Sequence, residues 1–161
     1  MFLKIYCDGS CSGNGDMENF GGYGIVITSE DKLVKEISVG AINTTNNRME
    51  LNGILESMKI AMALNANAEI ISDSAYSVNL INDWMYSWAN NNWIKKSNKK
   101  PPENLDLIKQ IYDIMNFNAK ITVSKVRGHN GDVFNEKADS LARQGTLKAQ
   151  QNYLKKSKKM S

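Results

Sequence analysis

The chain has 161 residues, a formal net charge of +3 and 42% hydrophobic residues, which is enough for one domain with a substantial core. No apolar run approaches the roughly 20 residues that cross a bilayer, and MFLKIYCDGS lacks the features of a signal peptide, so a cytoplasmic protein with no membrane contact is expected. Cys7 and Cys11 are too few and too close for a disulfide framework, and one histidine, His129, does not complete a zinc site with them.

FLKIYCD is a short β-type run ending in the turn-rich DGSCSGNG. GGYGIVITSE and KLVKEISVG follow as strands joined by a charged turn at Glu30 and Asp31, and the three runs form an antiparallel meander. NNRMELNGILESMKIAMAL, from Asn46 to Leu64, has helical periodicity, with Leu51, Ile54, Leu55, Met58 and Met62 on one stripe and a cap at Thr44, Thr45 or Asn46. AEIISD is the next strand, and a strand–helix–strand order implies a crossover with parallel pairing.

Ser74 to Trp93 is helical in pattern, and KKSNKKPPEN interrupts it. LDLIKQIYDIMNF is a further amphipathic helix, AKITVSKV a strand, RGHNGD a loop, and VFNEKADSLARQG a last helix closed by Gly145. The expected fold is α/β: a five-stranded mixed sheet, a three-strand antiparallel meander plus parallel strands, with helices on both faces. Residues 1–146 form the domain, including a basic segment at about 84–102, and residues 147–161 form a basic, flexible tail. Lysines cluster at Lys95, Lys96, Lys99 and Lys100 and again in LKKSKKMS, as suits a polyanion.

Four carboxylates sit where a structural role is hard to supply. Asp8 ends the first strand, and Asp73 ends a strand parallel to it; carboxyl ends of adjacent parallel strands are where α/β sheets place sites. Glu50 stands on the shoulder of the apolar helical stripe, where an unpaired carboxylate is costly. Asp139 borders the stripe of Phe134, Ala138, Leu141 and Ala142. Each has a plain alternative: a turn at Asp8, a helix cap at Asp73, an Arg48 partner for Glu50, an Arg143 partner for Asp139. Acids held together need countercharge, and oxygen-only ligands fit Mg²⁺ or Mn²⁺.

DGSCSGNG, TTNNRMEL, SDSAYS and VRGHNGDVFNEKADSLA together resemble, in order and interval, the four signature segments of the ribonuclease HI family. The resemblance covers about Phe2 to Gly145 and implies a monomeric endonuclease of RNase H-like fold. It would cut the RNA strand of an RNA–DNA hybrid and leave 3′-hydroxyl and 5′-phosphate ends. It implies that Asp8, Glu50, Asp73 and Asp139 bind two Mg²⁺ ions, with Mn²⁺ a possible substitute, and that His129 shuttles protons or helps product leave. It also implies hybrid contacts at Asn14, Thr45, Asn46 and Asn47, and at Lys95, Lys96, Lys99 and Lys100 of a basic handle. Ala75 stands where the family often has a substrate-contacting glutamine, and ANNN replaces a commonly basic stretch between Trp88 and Trp93. Trp84, Trp88 and Trp93 are read as core packing rather than base-stacking platforms. The alternative is a non-catalytic nucleic-acid-binding module that has kept the fold.

Overall fold

The computed structural model describes residues 1–13, 18–126 and 132–160. Five strands, β1 (Phe2–Ser12), β2 (Phe20–Ser29), β3 (Lys32–Ile42), β4 (Asn67–Ser72) and β5 (Ile121–Lys125), form a sheet of order β3-β2-β1-β4-β5. The first three pair antiparallel, and β4 joins β1 and β5 in parallel, as the sequence pattern implies. The β2–β3 hairpin turns on Glu30 and Asp31, both at positive φ (51° and 61°), the sense that matches the strand twist.

Helices α1 (Asn46–Ala63), α2 (Ala75–Asn79), α3 (Met85–Asn90) and α4 (Leu105–Phe117) cover one face, and α5 (Val133–Met160) covers part of the other. Alternation along β1 divides the core. Leu3, Ile5 and Cys7 pack with Leu51, Ile54, Leu55 and Met58 of α1, while Tyr6 packs with Val26, Ile71, Ala138 and Leu141 on the α5 side. Both thiols are free, as expected.

Four details depart from the sequence reading. Asp8 does not end the first strand: β1 stays paired with β2 through Ser12, and only its parallel ladder with β4 stops at Cys7. Met62 is 46% exposed, while Ala61 beside it on the last turn is fully buried, so the core contact of α1 ends on the Ala61 side of the expected stripe. The Ser74–Trp93 pattern is not one regular helix: a π-helical turn, Leu80–Trp84, lies between α2 and α3, with Leu80, Ile81 and Met85 all buried. Gly145 does not close the last helix, which continues to Met160. A Cβ on Gly145 would run into the Val39 carbonyl of β3, so this glycine serves close helix–sheet approach. Beyond it, Ala149 is buried and the Tyr153 ring packs on Phe20, with centroids 5.5 Å apart, so residues 147–160 are helical where a tail was expected.

The tryptophans pack inward. Trp84 meets Tyr76 edge-on at 5.8 Å, Trp88 packs on Trp84 at 6.3 Å, and Trp93 meets Tyr112 at 5.2 Å.

Candidate active site

β4 ends at Ser72, opposite Cys7 of β1, so the next residue of each strand, Asp8 and Asp73, stands where the parallel ladder has stopped. α1 delivers Glu50 to the same point. It comes that close because residue 9 is glycine: a Cβ there would lie 2.5 Å from the Glu50 nitrogen and 2.7 Å from the Met49 carbonyl carbon. One ligand oxygen from each of Asp8, Glu50 and Asp73 falls within 4.8 Å of the others. Asp8 and Glu50 are each 5% exposed, whereas Asp73 is open to solvent.

The plain alternatives for these acids fail on their partners. Arg48 does not turn to Glu50: its guanidinium grips Asp106 of α4 at 2.7 and 3.0 Å and reaches Asn104 at 3.3 Å. Asp73 does not cap α2, because the Ser74 hydroxyl accepts from Ser77 N–H at 3.1 Å. Asp73 has no hydrogen bond or ion pair among the described residues. Asp8 accepts from the Gly9 N–H at 2.9 Å, a local bracing contact that still leaves the carboxyl facing the other acids. The Glu50 Oε2 is buried with no hydrogen-bond partner.

Asp139 arrives from the opposite face, on the second turn of α5, and is the least of the neighbours that act on the Asp8 carboxyl. It lies outside the three-residue cluster, and Arg143 one turn on holds its carboxylate at 3.1 Å. Its alternative pairing with Arg143 is therefore present in the structure.

Burial and mutual repulsion push both enclosed carboxyls toward the neutral form. Desolvation first, and then the Asp73 charge, raise Asp8 to about 7. Desolvation, then Asp8, raise Glu50 to about 9. This donor set, all carboxylate oxygen with one oxygen buried and unpartnered, fits a hard divalent cation and relieves the repulsion if one binds.

Thr45 is the N-cap of α1, its hydroxyl accepting from Arg48 N–H at 3.1 Å, and Asn46 and Asn47 are exposed on the first turn. They form a polar, outward-facing edge at the end of the sheet to which β1 runs. Asn19 was not anticipated. It accepts from Thr44 N–H at 2.8 Å and donates to Thr44 C=O at 2.9 Å, tying the start of β2 to the start of α1. The turn composition around it carried no signal of that long-range clamp. Lys96, Lys99 and Lys100 are exposed, Lys95 is half-buried, and none of the four forms an ion pair among the described residues. Asn14 and His129 lie outside the described residues.

A family model described as RNase H matches residues 2–147. The ribonuclease H of Chlorobium phaeovibrioides is 40% identical over 142 residues, 88% of this chain and 92% of that one. The solution structure of the PFV RNase H domain is similar with a TM-score of 0.77 and 26% identity, over 90% of this chain and 94% of that one. The crystal structure of prototype foamy virus protease-reverse transcriptase gives the same TM-score of 0.77 over 89% of this chain, which spans only 20% of that larger protein. A family model spanning nearly the whole chain, a shared fold and a carboxylate cluster where the parallel β1–β4 ladder stops lead to one conclusion: the chain belongs to the ribonuclease H family, enzymes that hydrolyse the RNA strand of RNA–DNA hybrids.

Proposed function

We propose that Asp8, Glu50, Asp73 and Asp139 form the catalytic centre and hold two Mg²⁺ ions, with Mn²⁺ able to substitute. The observation that carries this is the meeting of Asp8, Glu50 and Asp73 within 4.8 Å, with Glu50 Oε2 buried and unpartnered. When bound, such ions acidify an attacking water and neutralise charge on the departing 3′-oxygen, which leaves 3′-hydroxyl and 5′-phosphate ends.

The chain's own residues set the conditions for this. The Gly9 N–H fixes one oxygen of Asp8, so the remaining oxygen stays turned to the cluster. Both carboxyls are raised, so each must be free of its proton to act as a ligand. Asp73, open to solvent, stands at the entrance where water and a phosphate arrive. Arg143 restrains Asp139 from behind, so that one carboxylate oxygen is left for the site. His129 is assigned a proton-transfer or product-release role from its sequence position alone.

The hybrid would be held at Asn14, Thr45, Asn46 and Asn47, small polar groups suited to the wide minor groove where the 2′-hydroxyl is read. The handle lysines, Lys95, Lys96, Lys99 and Lys100, would take backbone phosphates. The reading takes the enzyme as a cytoplasmic monomer; no described helix is long and apolar enough to cross a membrane.

The test offers matched RNA–DNA, RNA–RNA and DNA–DNA duplexes with Mg²⁺ to wild type and Asp73→Asn. Cleavage confined to the RNA of the hybrid, lost in the variant while hybrid binding persists, is the expected result. If both proteins bind and neither cuts, the acids are not a working centre.

A further inference from the structure

The last turns of α5 form a lysine-bearing strut that no step of the proposed chemistry uses. From Arg143 to the end of the chain there are six basic residues and no acidic one. The family match stops at residue 147, and the helix runs on to Met160. These turns are held to the sheet as well as being helical. Ala149 is buried, and Tyr153 packs on Phe20.

At about 100° per residue, the sheet-facing side of α5 is set by Ala138, Ala142, Gly145, Ala149 and Tyr153. Lys148, Lys155 and Lys159 then share one flank, on the side of edge strand β3, and Lys156 falls on the sheet-facing side, one turn beyond Asn152 at the cleft with β3. A cleft of about 320 Å³ between α5 and β3 is lined by Lys148, Asn152 and Lys156 on one side and by Ser38, Gly40 and Ile42 on the other. Lys148, Lys155, Lys156 and Lys159 are exposed, and none forms an ion pair among the described residues.

The strut's position follows from the strand register. Asp8 pairs with Gly24, and Ser12 with Phe20, so α5 starts beside the acids and reaches the far end of β1 at Tyr153. A Cβ on Gly21 of this same end would meet the Thr44 side chain, so the start of α1, with Thr45 and Asn46, gathers there too. Gly22 and Gly24 face α5 while Gly21 faces Thr44, so Thr45 and the lysines lie on opposite faces of the same end of the sheet, and only a duplex laid across that end reaches both. Along the helix, Lys155 lies about 24 Å from Asp139, the length of about 7 base pairs of duplex. Over that distance its charge is screened from the acids, since the Debye length is about 8 Å at physiological salt. The lysines therefore act only on a molecule long enough to reach them.

We propose that Lys148, Lys155, Lys156 and Lys159 form a second anchoring surface for the phosphate backbone of the hybrid, which makes affinity depend on substrate length. The proposal rests on the nuclease reading for the identity of the polyanion.

The test compares wild type with Lys155→Gln/Lys156→Gln/Lys159→Gln and with the matching triple arginine variant, all as full chains. KM and kcat are measured on 8- and 24-base-pair hybrids, and Kd is measured on the same hybrids in EDTA, where cleavage stops. In the glutamine variant, KM and Kd for the long hybrid are expected to rise about tenfold and the salt dependence of binding to flatten. Values for the short hybrid are expected to move less than twofold, and the arginine variant to match wild type. Unchanged long-hybrid affinity, or equal losses on both lengths, overturns the proposal. So does loss of binding to anionic phospholipid vesicles with hybrid affinity intact, which would make the surface a membrane contact. If wild type cuts neither hybrid, the catalytic reading has failed, and the EDTA binding arm still decides whether these lysines hold duplex.

Discussion

Glu50 and Asp8 sit close together in a place that water barely reaches, and their protonation links metal binding to stability. Both carboxyls are raised, to about 9 and about 7, chiefly by desolvation. A group whose folded value lies above its unfolded value contributes stability that is fully present below the unfolded value and is lost as pH rises through the folded one. Without metal, stability should therefore decline from about pH 4 toward pH 9, by a few kcal/mol in all. Thermal melts across that range in EDTA test this, with Asp8→Asn/Glu50→Gln expected to give a flatter profile. A divalent cation favours the ionised forms, so Mg²⁺ should raise the wild-type Tm more at pH 8.5 than at pH 5.5. Parallel pH profiles for wild type and the double variant would falsify the linkage.

Activity follows the same residues with a different weighting. Asp8→Asn and Asp73→Asn each remove a charge from the cluster and should lower kcat by at least about 10³-fold, the scale of losing one preorganised electrostatic partner. Single-turnover cleavage with saturating hybrid reads that loss free of product release. His129→Ala should be much milder, about 10²-fold, the lower end of the range for a lost proton-transfer aid. Rescue of that variant by added imidazole would tie the loss to proton transfer.

Helix α1 shows what a pattern of residues can and cannot reveal. Its period marked Glu50 as misplaced, because charge on an apolar shoulder is visible from spacing alone. The reason Glu50 reaches Asp8 was hidden, since it lies in the missing side chain at Gly9, on a different strand. Gly9→Ala would force a Cβ to within 2.5 Å of the helix backbone. Backbone gives way poorly, so the variant should lose about 2–3 kcal/mol in denaturant unfolding and also bind Mg²⁺ more weakly. A variant that kept full metal affinity would separate helix approach from site assembly. Helix α4 shows the reverse: its Asp106 takes Arg48, a partner 58 positions away that no local window pairs with it. That ion pair is largely exposed, at 34% and 60%, so Arg48→Ala should cost no more than about 1 kcal/mol.

Across the molecule, the order of strands and helices was legible because each element carries its own period. The extent of α5 was not. Gly145 and the polar, lysine-rich run after it have the composition of an ending, and only the closeness of β3 turns that glycine into a packing residue. The two views of residues 147–161 predict different behaviour for a chain cut after residue 146. A loose tail would leave the melting temperature unchanged. A docked helix loses Ala149 from beneath β3 and the Tyr153 ring from Phe20, apolar contacts together worth about 2 kcal/mol. For a domain of this size, that loss lowers Tm by about 4–8 °C. The lysine variants keep those contacts and should melt like wild type, while truncation and Tyr153→Ala should both melt early. If Tyr153→Ala and the truncation both match wild type, the terminal turns do not hold the sheet, and the lysines lose the fixed distance from the acids that gives them a length-dependent role.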